Sequence, residues 1–406
     1  HSDLSAIEGV RPRKMPYVPG HEASGIVQEV GEGVTRVKPG DNAILFFVPN
    51  CGTCTSCDRG EPYLCDTAYE ARGDGSLITG EHKIRLNGEV INHTSGVSCY
   101  AEYMVLAEGS VIPIEKDIPL EDAALFGCAV ITGVGAVVNT AAVPPGATVA
   151  VLGLGGVGLN AMMAATLSGA ERVIAVDVLD DKLAFARQLG ATDTVNANDG
   201  DCVEQIKEMT KGGVDFAIEL AGVPKALETA YQMCRRGGTV VTAGLPRPEA
   251  TLDIPIAQLV SDNRTVKGSY MGSCIPRRDI PRFLSLYRQG KLPVDRLRSG
   301  FVDFDGLNAG FDRLALIDPP VSGPGRREYP SKLPWYVDSI RDCTRGADIE
   351  TMRHYCPTWS DEQLRLRAEW LHTCFEPAIV QAFEEFHSVD IHQDFPGIKV
   401  PTLLMC

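Results

Sequence analysis

The 406-residue sequence lacks any apolar run near the roughly 18 residues that a membrane-spanning helix needs, so we expect no membrane partner. Positive charge is also scarce: 38 Lys and Arg stand against 53 Asp and Glu, for a formal net charge of −15. Such a chain repels phosphate backbones, which argues against a nucleic-acid partner. The sequence starts at His1 with no initiator Met and no recognisable signal peptide, so we expect a cytoplasmic protein.

Cysteine is present but shows no disulfide framework, because the 13 Cys are odd in number and mostly scattered. Four of them crowd into one C-x2-C-x2-C-x7-C segment: Cys51, Cys54, Cys57 and Cys65. Two-residue gaps let thiolates converge on one ion, and four thiolates predict a closed, structural zinc site. Free or disulfide-bonded cysteines are one alternative, which the short spacing disfavours. An iron–sulfur cluster is another, but ferredoxins have a shorter last gap and then proline, where this chain has Asp66.

A glycine-rich turn follows an apolar, β-branched run at residues 148–152 and precedes a predicted helix at 159–168. Its G-x-G-x-x-G pattern is formed by Gly153, Gly155, Gly156, Val157 and Gly158. Glycines in this setting allow a tight turn and let a diphosphate approach the helix N-terminus, which predicts dinucleotide binding. Strands and helices then alternate to about residue 266, which predicts a doubly wound parallel sheet.

Asp177 ends the next predicted strand, at the offset where such folds place an acidic residue. Its carboxylate would accept hydrogen bonds from the adenosine ribose and repel a 2′-phosphate, so we predict NAD rather than NADP. The alternative is that Asp177 is an ordinary turn residue at the end of a strand.

Two further patterns flank the cysteine cluster. His21 and Glu22 stand in G-H-E-x2-G-x5-G, and Cys128 follows Phe-Gly and leads into a Thr-Gly-x-Gly-Ala run. A single His in a turn is more often structural, so the prediction depends on the combination. Together these patterns resemble the zinc-containing alcohol dehydrogenases of the medium-chain dehydrogenase/reductase family, over about residues 1–315.

The resemblance implies that His21 and Cys128 are ligands of a catalytic zinc. It places Glu22 just behind the metal, Asp3 on the far side of the His21 ring, and Ser2 beside the alcohol, whose proton it passes on. Imidazole and thiolate suit Zn²⁺, and an open coordination position allows catalysis. The implied reaction is reversible hydride transfer between a primary or secondary alcohol and NAD.

The resemblance also implies coenzyme contacts outside the glycine-rich turn. His1 would lie near the diphosphate and Lys182 near the adenosine ribose. The segment formed by Ala243, Gly244 and Leu245 would run beside the nicotinamide. The family further implies a homo-oligomer, either a dimer or a tetramer.

The family has one more zinc ligand, a Cys directly before the triplet that begins here at His1. We therefore expect that ligand, and the first strands of the family, to lie outside this sequence. Two ligands hold zinc weakly, so a catalytically incomplete, zinc-stabilised NAD-binding protein is the alternative. The family often has a His in its proton relay at the position of Ser5. Phe46 and Phe47 favour larger or aromatic alcohols and aldehydes as substrates.

The expected fold class is α/β. A GroES-like, β-rich catalytic domain covers residues 1–143 and 272–315, and a Rossmann domain covers 144–271. Residues 316–406 resemble an internal fragment of an α/β-hydrolase of the N-formylmaleamate deformylase type, with part of its helical cap. This segment has no G-x-S-x-G nucleophile, so hydrolysis is a weaker alternative. We favour an artificial join of two gene fragments over a module that binds a partner or the dehydrogenase cleft.

Overall fold

The computed structural model describes residues 2–7 and 9–301. His1 and the predicted hydrolase-like segment at 316–406 lie outside the described residues. Within the described part, no single helix is long and apolar enough to cross a membrane. Two helical stretches, Leu120–Gly127 and Ala129–Ala141, reach that length and apolarity only together, and they are bent by 53° relative to each other.

The strands of the described residues form three sheets, and their bounds in chain order are as follows: β1 Tyr17–Val18, β2 Ala23–Ile26, β3 Asn42–Leu45, β4 Ile84–Leu86, β5 Glu89–His93, β6 Val111–Ile114, β7 Thr148–Leu152, β8 Arg172–Asp177, β9 Asp193–Asn196, β10 Val214–Glu219, β11 Cys234–Thr242 and β12 Thr265–Gly268.

The α-helices of the same residues are α1 Ser2–Ile7, α2 Thr55–Asp58, α3 Asp66–Asp74, α4 Leu120–Ala123, α5 Ala129–Gly135, α6 Gly156–Leu167, α7 Asp180–Gln188, α8 Cys202–Thr210, α9 Pro224–Met233, α10 Ile256–Ser261 and α11 Pro276–Arg288. Short 3₁₀ turns cover Pro62–Leu64, Glu108–Ser110, Ala124–Gly127, Met271–Ser273 and Val294–Leu297, and a π-helical turn covers Ala136–Ala141.

The largest sheet has six parallel strands in the order β12-β11-β10-β7-β8-β9. Its centre, β7, is almost entirely buried because helices cover both faces, which is why its sequence is a continuous apolar run. The strand order reverses between β8 and β10, on either side of β7. Ligands of doubly wound sheets bind at the carboxyl ends of the strands at such a point. The predicted parallel sheet is confirmed.

Two three-stranded sheets lie outside this domain. Strands β2, β3 and β6 form an antiparallel sheet whose buried side chains, such as Ile44 and Ile112, belong to the main hydrophobic core. Strand β5 pairs with β1 and β4 in the second small sheet. His21 and Glu22 directly precede β2, so the first of these sheets positions them.

The sequence indicates one long apolar helix over residues 121–141, and this prediction is wrong in detail. The helix is interrupted at Cys128, whose φ of −145° and ψ of −66° are not helical. The chain is pressed against β3 just before the break, where a Cβ at Gly127 would lie 2.5 Å from the carbonyl oxygen of Leu45. Because of this interruption the Cys128 side chain is half-buried, whereas its neighbours in the sequence are buried.

Candidate metal and coenzyme sites

The four clustered cysteines converge as their spacing predicts. Their sulfur atoms all lie within 4.8 Å of one another, and the sulfurs of Cys54 and Cys65 are 4.0 Å apart. A tetrahedral ion with Zn–S bonds of about 2.3 Å requires sulfurs about 3.8 Å apart, so the cluster fits zinc. None of the described cysteines is in a disulfide, so that alternative is not supported there.

Backbone hydrogen bonds to the sulfur atoms of this cluster stabilise the thiolate form. The backbone N–H of Cys51 donates to the Cys65 sulfur over 3.3 Å, and that of Thr53 donates to the Cys51 sulfur over 3.4 Å. A hydrogen bond from Thr67, followed by that of Thr53, lowers the pKa of Cys51 to about 5. Burial raises the pKa of Cys57 to about 12, so a metal ion is needed to hold that sulfur as a thiolate at neutral pH.

The second predicted metal site is organised around the His21 ring. Its Nδ1 lies 2.7 Å from Oδ2 of Asp3, and the other carboxylate oxygen accepts the Gly20 N–H over 2.8 Å. An N–H at Nδ1 leaves the lone pair of Nε2 free, which is the arrangement that metal-binding histidines use. The structure therefore brings Asp3 and His21 together as predicted.

Cys128 faces the same ring, and the two side chains are within hydrogen-bonding reach. Burial opposes a charge on His21, but its hydrogen bonds to Asp3 and Cys128 raise the His21 pKa well above the usual value. Burial and the Glu22 charge raise the pKa of the Cys128 thiol, while His21 lowers it. Adjacent imidazole and thiol groups are a donor pair that suits zinc.

Glu22 is anchored beside this pair. Its Oε1 accepts the backbone N–H of Ala129 over 2.7 Å, which ties the strand entry to the start of α5. Burial raises the pKa of Glu22, and the His21 charge opposes the rise. The carboxylate is thus held next to both candidate ligands, where the resemblance places it.

Of the two phenylalanines predicted to favour large substrates, only Phe47 lies beside the candidate metal site. Phe47 packs edge-on against His21, with ring centroids 5.2 Å apart, so it adjoins the candidate metal site. Phe46 does not line a pocket, because its side chain is 1% exposed and packs in the main core. Ser2 is exposed at the start of α1, one residue before Asp3.

The glycine-rich turn joins β7 to α6 with very close backbone packing. A Cβ at Gly158 would lie 1.8 Å from the carbonyl oxygen of Gly153, so only glycine fits there. A Cβ at Gly155 would meet nothing within 4 Å, which leaves open space at the N-terminus of α6. That space fits a diphosphate, and Gly156 and Val157 supply the first N–H groups of the helix.

Asp177 lies next to this turn. One of its carboxylate oxygens accepts the N–H of Leu154 over 2.6 Å, and the other accepts those of Val178 and Leu179. These bonds hold the carboxylate at the carboxyl end of β8. Lys182 is partly exposed on the first turn of α7, and within the described residues it forms no hydrogen bond or ion pair with Asp177.

Sequence reasoning missed one buried carboxylate on the coenzyme side. Glu219 ends β10 and is 1% exposed; its two oxygens accept the N–H of Gly222 over 2.7 Å and the hydroxyl of Thr242 over 2.6 Å. Its backbone oxygen accepts the N–H groups of Ala243 and Gly244. The sequence did contain an indication of this residue, because an acidic residue at the end of an apolar strand is unusual unless its carboxylate is hydrogen-bonded. Glu219 fixes the segment 243–245, whose Leu245 is exposed.

Three features together are typical of a zinc-binding dehydrogenase. They are the cluster of four cysteines at residues 51–65, the His21–Cys128 pair, and the glycine-rich turn on a parallel sheet. Residues 1–116 match the alcohol dehydrogenase GroES-like domain family, and residues 156–289 match the zinc-binding dehydrogenase family. The chain belongs to the zinc-binding alcohol dehydrogenases of the medium-chain dehydrogenase/reductase family. The predicted family and fold are confirmed.

Solved structures support this membership. An alcohol dehydrogenase zinc-binding domain protein from Burkholderia ambifaria is 34% identical, with a TM-score of 0.74 over 78% of this chain and 86% of that chain. Benzyl alcohol dehydrogenase from Acinetobacter calcoaceticus is also 34% identical, with a TM-score of 0.72 over the same shares. A zinc-binding dehydrogenase from Sinorhizobium meliloti 1021 bound to NADP is 27% identical, with a TM-score of 0.64 over 76% of this chain and 84% of that chain.

Proposed function

We propose that this chain is a zinc-dependent alcohol dehydrogenase that moves a hydride between a primary or secondary alcohol and NAD. The observation that carries the proposal is the 2.7 Å contact between Asp3 and Nδ1 of His21, with Cys128 within reach of the same ring. A carboxylate behind an imidazole is the support that a metal-binding His needs. A histidine kept only for packing needs neither the carboxylate nor the neighbouring thiol.

His21 and Cys128 would hold the catalytic zinc, and the cluster at residues 51–65 would hold a structural zinc. A zinc ion supplies Lewis acidity toward an alcohol oxygen, and NAD supplies the hydride acceptor. Asp3 fixes the His21 tautomer, Glu22 stands behind the two ligands, and Ser2 is exposed at a place from which its hydroxyl can take the alcohol proton. The segment at 243–245 would contact the nicotinamide.

The glycine-rich turn and Asp177 support NAD as the coenzyme. The diphosphate fits the open space at the N-terminus of α6, and the fixed Asp177 carboxylate would repel a 2′-phosphate. The relative from Sinorhizobium meliloti carries NADP, so the preference needs a direct comparison. Phe47 beside His21, and the similarity to a benzyl alcohol dehydrogenase, support an aromatic alcohol as substrate.

The test is the formation of NADH absorbance when the purified protein receives benzyl alcohol and NAD, with NADP in a parallel reaction. We expect turnover with NAD, and a loss of activity in His21→Gln and Cys128→Ser. His82→Gln, which changes a partly exposed histidine near Asp74, is the matched control. Absence of turnover together with tight NADH binding would favour the catalytically incomplete, zinc-stabilised NAD-binding protein instead.

A further inference from the structure

The loop that follows α1 has a concentration of positive charge. Residues 9–14 read Gly-Val-Arg-Pro-Arg-Lys, with three cations and no acid in a chain whose net charge is −15. The backbone N–H of Arg11 donates to the carbonyl oxygen of Ser5 over 3.0 Å. The loop is thereby tied to the helix that carries Ser2 and Asp3.

Only one of the three cations has an acidic partner among the described residues. The Nζ atom of Lys14 lies 3.2 Å from Oδ1 of Asp74. Arg11 donates from Nη2 to a neutral group, the carbonyl oxygen of Pro246, over 2.8 Å. The Nε atom of Arg13 is buried and has no hydrogen-bond partner in the part of the chain that the structure describes. Partly buried guanidinium groups without a carboxylate are costly unless an anion binds them.

The charge of Arg13 acts on Arg11 and on a phenol that the Asp3 charge also affects. Burial, followed by the Arg13 charge, lowers the pKa of Arg11. Burial and the Asp3 charge raise the pKa of Tyr17, whereas the Arg13 charge lowers it. Arg13 and the carboxylate that supports His21 therefore act on the same phenol.

Arg11 extends in the other direction, toward the coenzyme side. Its acceptor, Pro246, follows Leu245 at the end of the segment predicted to contact the nicotinamide. The Leu245 nitrogen lies 3.2 Å from where a Cβ of Gly222 would be, and the neighbouring Ala221 packs on Gly153 of the glycine-rich turn. Arg11 thus joins the loop after α1 to the end of the segment at 243–245, while the backbone of the same loop is tied to the helix that carries Asp3.

We propose that Arg11 and Arg13 bind the carboxylate of an anionic alcohol or aldehyde substrate, and that they thereby determine substrate specificity. This inference rests on the proposed dehydrogenase function. Guanidinium groups bind carboxylates through paired, charge-assisted hydrogen bonds. The coenzyme diphosphate is the other possible source of an oxyanion, but the open space at the N-terminus of α6 already accommodates it. The contact with Pro246 instead places Arg11 beside the end of the segment at 243–245.

The kinetic test compares benzyl alcohol with para-hydroxymethylbenzoate, which differs from it by one carboxylate. We expect Arg13→Gln to lower kcat/KM for the carboxylate substrate roughly tenfold to a hundredfold, the scale of a hydrogen bond to a charged group. We expect kcat/KM for benzyl alcohol to change by less than about twofold, because the reacting groups are the same. Arg13→Lys keeps the charge and should recover part of the loss. Arg85→Ala is the control, because Arg85 is an exposed arginine on β4 whose guanidinium, within the described residues, contacts only the hairpin turn, at the carbonyl oxygen of Gly88.

A second readout needs no turnover. Benzoate is titrated calorimetrically into the NADH-bound protein, and NADH affinity is measured separately by fluorescence. Benzoate binding that weakens in Arg11→Ala and Arg13→Gln supports the inference even if the protein oxidises no alcohol, in which case only the proposed function fails. Equal losses for both alcohols, unchanged benzoate binding, or a loss of NADH affinity in place of benzoate affinity would overturn it.

Discussion

Asp3 holds two groups at once, since its carboxylate accepts hydrogen bonds from the His21 ring and from the Gly20 backbone. Replacing Asp3 by Asn keeps the shape but removes the charge that faces the imidazole. Loss of such a supporting carboxylate lowers metal affinity or activity by roughly tenfold to a hundredfold, and we expect a fall of that size in kcat/KM and zinc affinity. Steady-state kinetics and competition with a chelator measure the two quantities.

Asp74→Asn is the matched control for that change, because Asp74 is an exposed carboxylate that also contacts a histidine, His82. It should leave both quantities near those of the unchanged protein. An equal loss in the two variants would mean that Asp3 contributes general stability rather than support for a metal ligand.

His93 is a buried imidazole whose protonation the fold opposes. Its Nε2 accepts the backbone N–H of Lys83 over 3.1 Å, and burial, followed by the charge of His82, lowers its pKa. The unfolded chain binds this proton near pH 6.5, at a higher pH than the folded chain, so the free energy of unfolding decreases as pH falls below about 6.5. One such group contributes at most about 1.4 kcal/mol per pH unit.

Denaturant unfolding of the unchanged protein and of His93→Gln at several pH values between about 7.5 and 5 checks this. Gln can still accept the Lys83 N–H but does not titrate, so the variant should lose less stability on acidification. Identical slopes for the two proteins would exclude His93 as a source of acid sensitivity.

Among the secondary-structure elements, those of the parallel sheet were the most predictable. Strands β7 and β8 lie where the apolar runs place them, because a strand covered on both faces has a continuous apolar sequence. The helix predicted over 121–141 is broken, because periodicity does not record the contact that forces the chain to turn at Cys128. The candidate zinc ligands were found by spacing and resemblance. Periodicity does not record the hydrogen bond between Glu219 and Thr242, which are 23 residues apart. Nor does it record that the Arg13 Nε has no hydrogen-bond partner among the described residues.

The glycine-rich turn allows coenzyme binding to be separated from folding. Gly155→Ala adds a Cβ that meets no protein atom within 4 Å, at a backbone φ of −71° that alanine adopts readily. We expect an unchanged melting temperature but roughly a tenfold or greater loss of NADH affinity, because this glycine allows the diphosphate to approach the backbone. Fluorescence titration and thermal unfolding measure the two effects.

Gly25→Ala is the control for the turn, since Gly25 also has open space around its Cβ position but lies on β2. It should bind NADH normally. If Gly155→Ala also binds NADH normally, the diphosphate does not lie at the N-terminus of α6, and the proposed coenzyme position is wrong.

At the scale of the whole molecule, the proposed function needs two metal sites of different kinds. The cluster of four cysteines at residues 51–65 is the proposed closed, structural site, and the His21–Cys128 pair is the proposed open site. This cluster provides its four sulfur ligands within 15 residues of sequence, from Cys51 to Cys65. The open site instead needs His21 and Cys128, which lie far apart in the sequence and are brought together by the fold.

The zinc content per chain tests this account most directly, by elemental analysis of the purified protein and of Cys128→Ser. The account predicts about two zinc ions in the unchanged protein and about one in the variant, because only the closed four-thiolate site then remains. About one zinc in both proteins would contradict it: the chain would then hold structural zinc alone, and the proposed catalytic centre at His21 and Cys128 would be wrong.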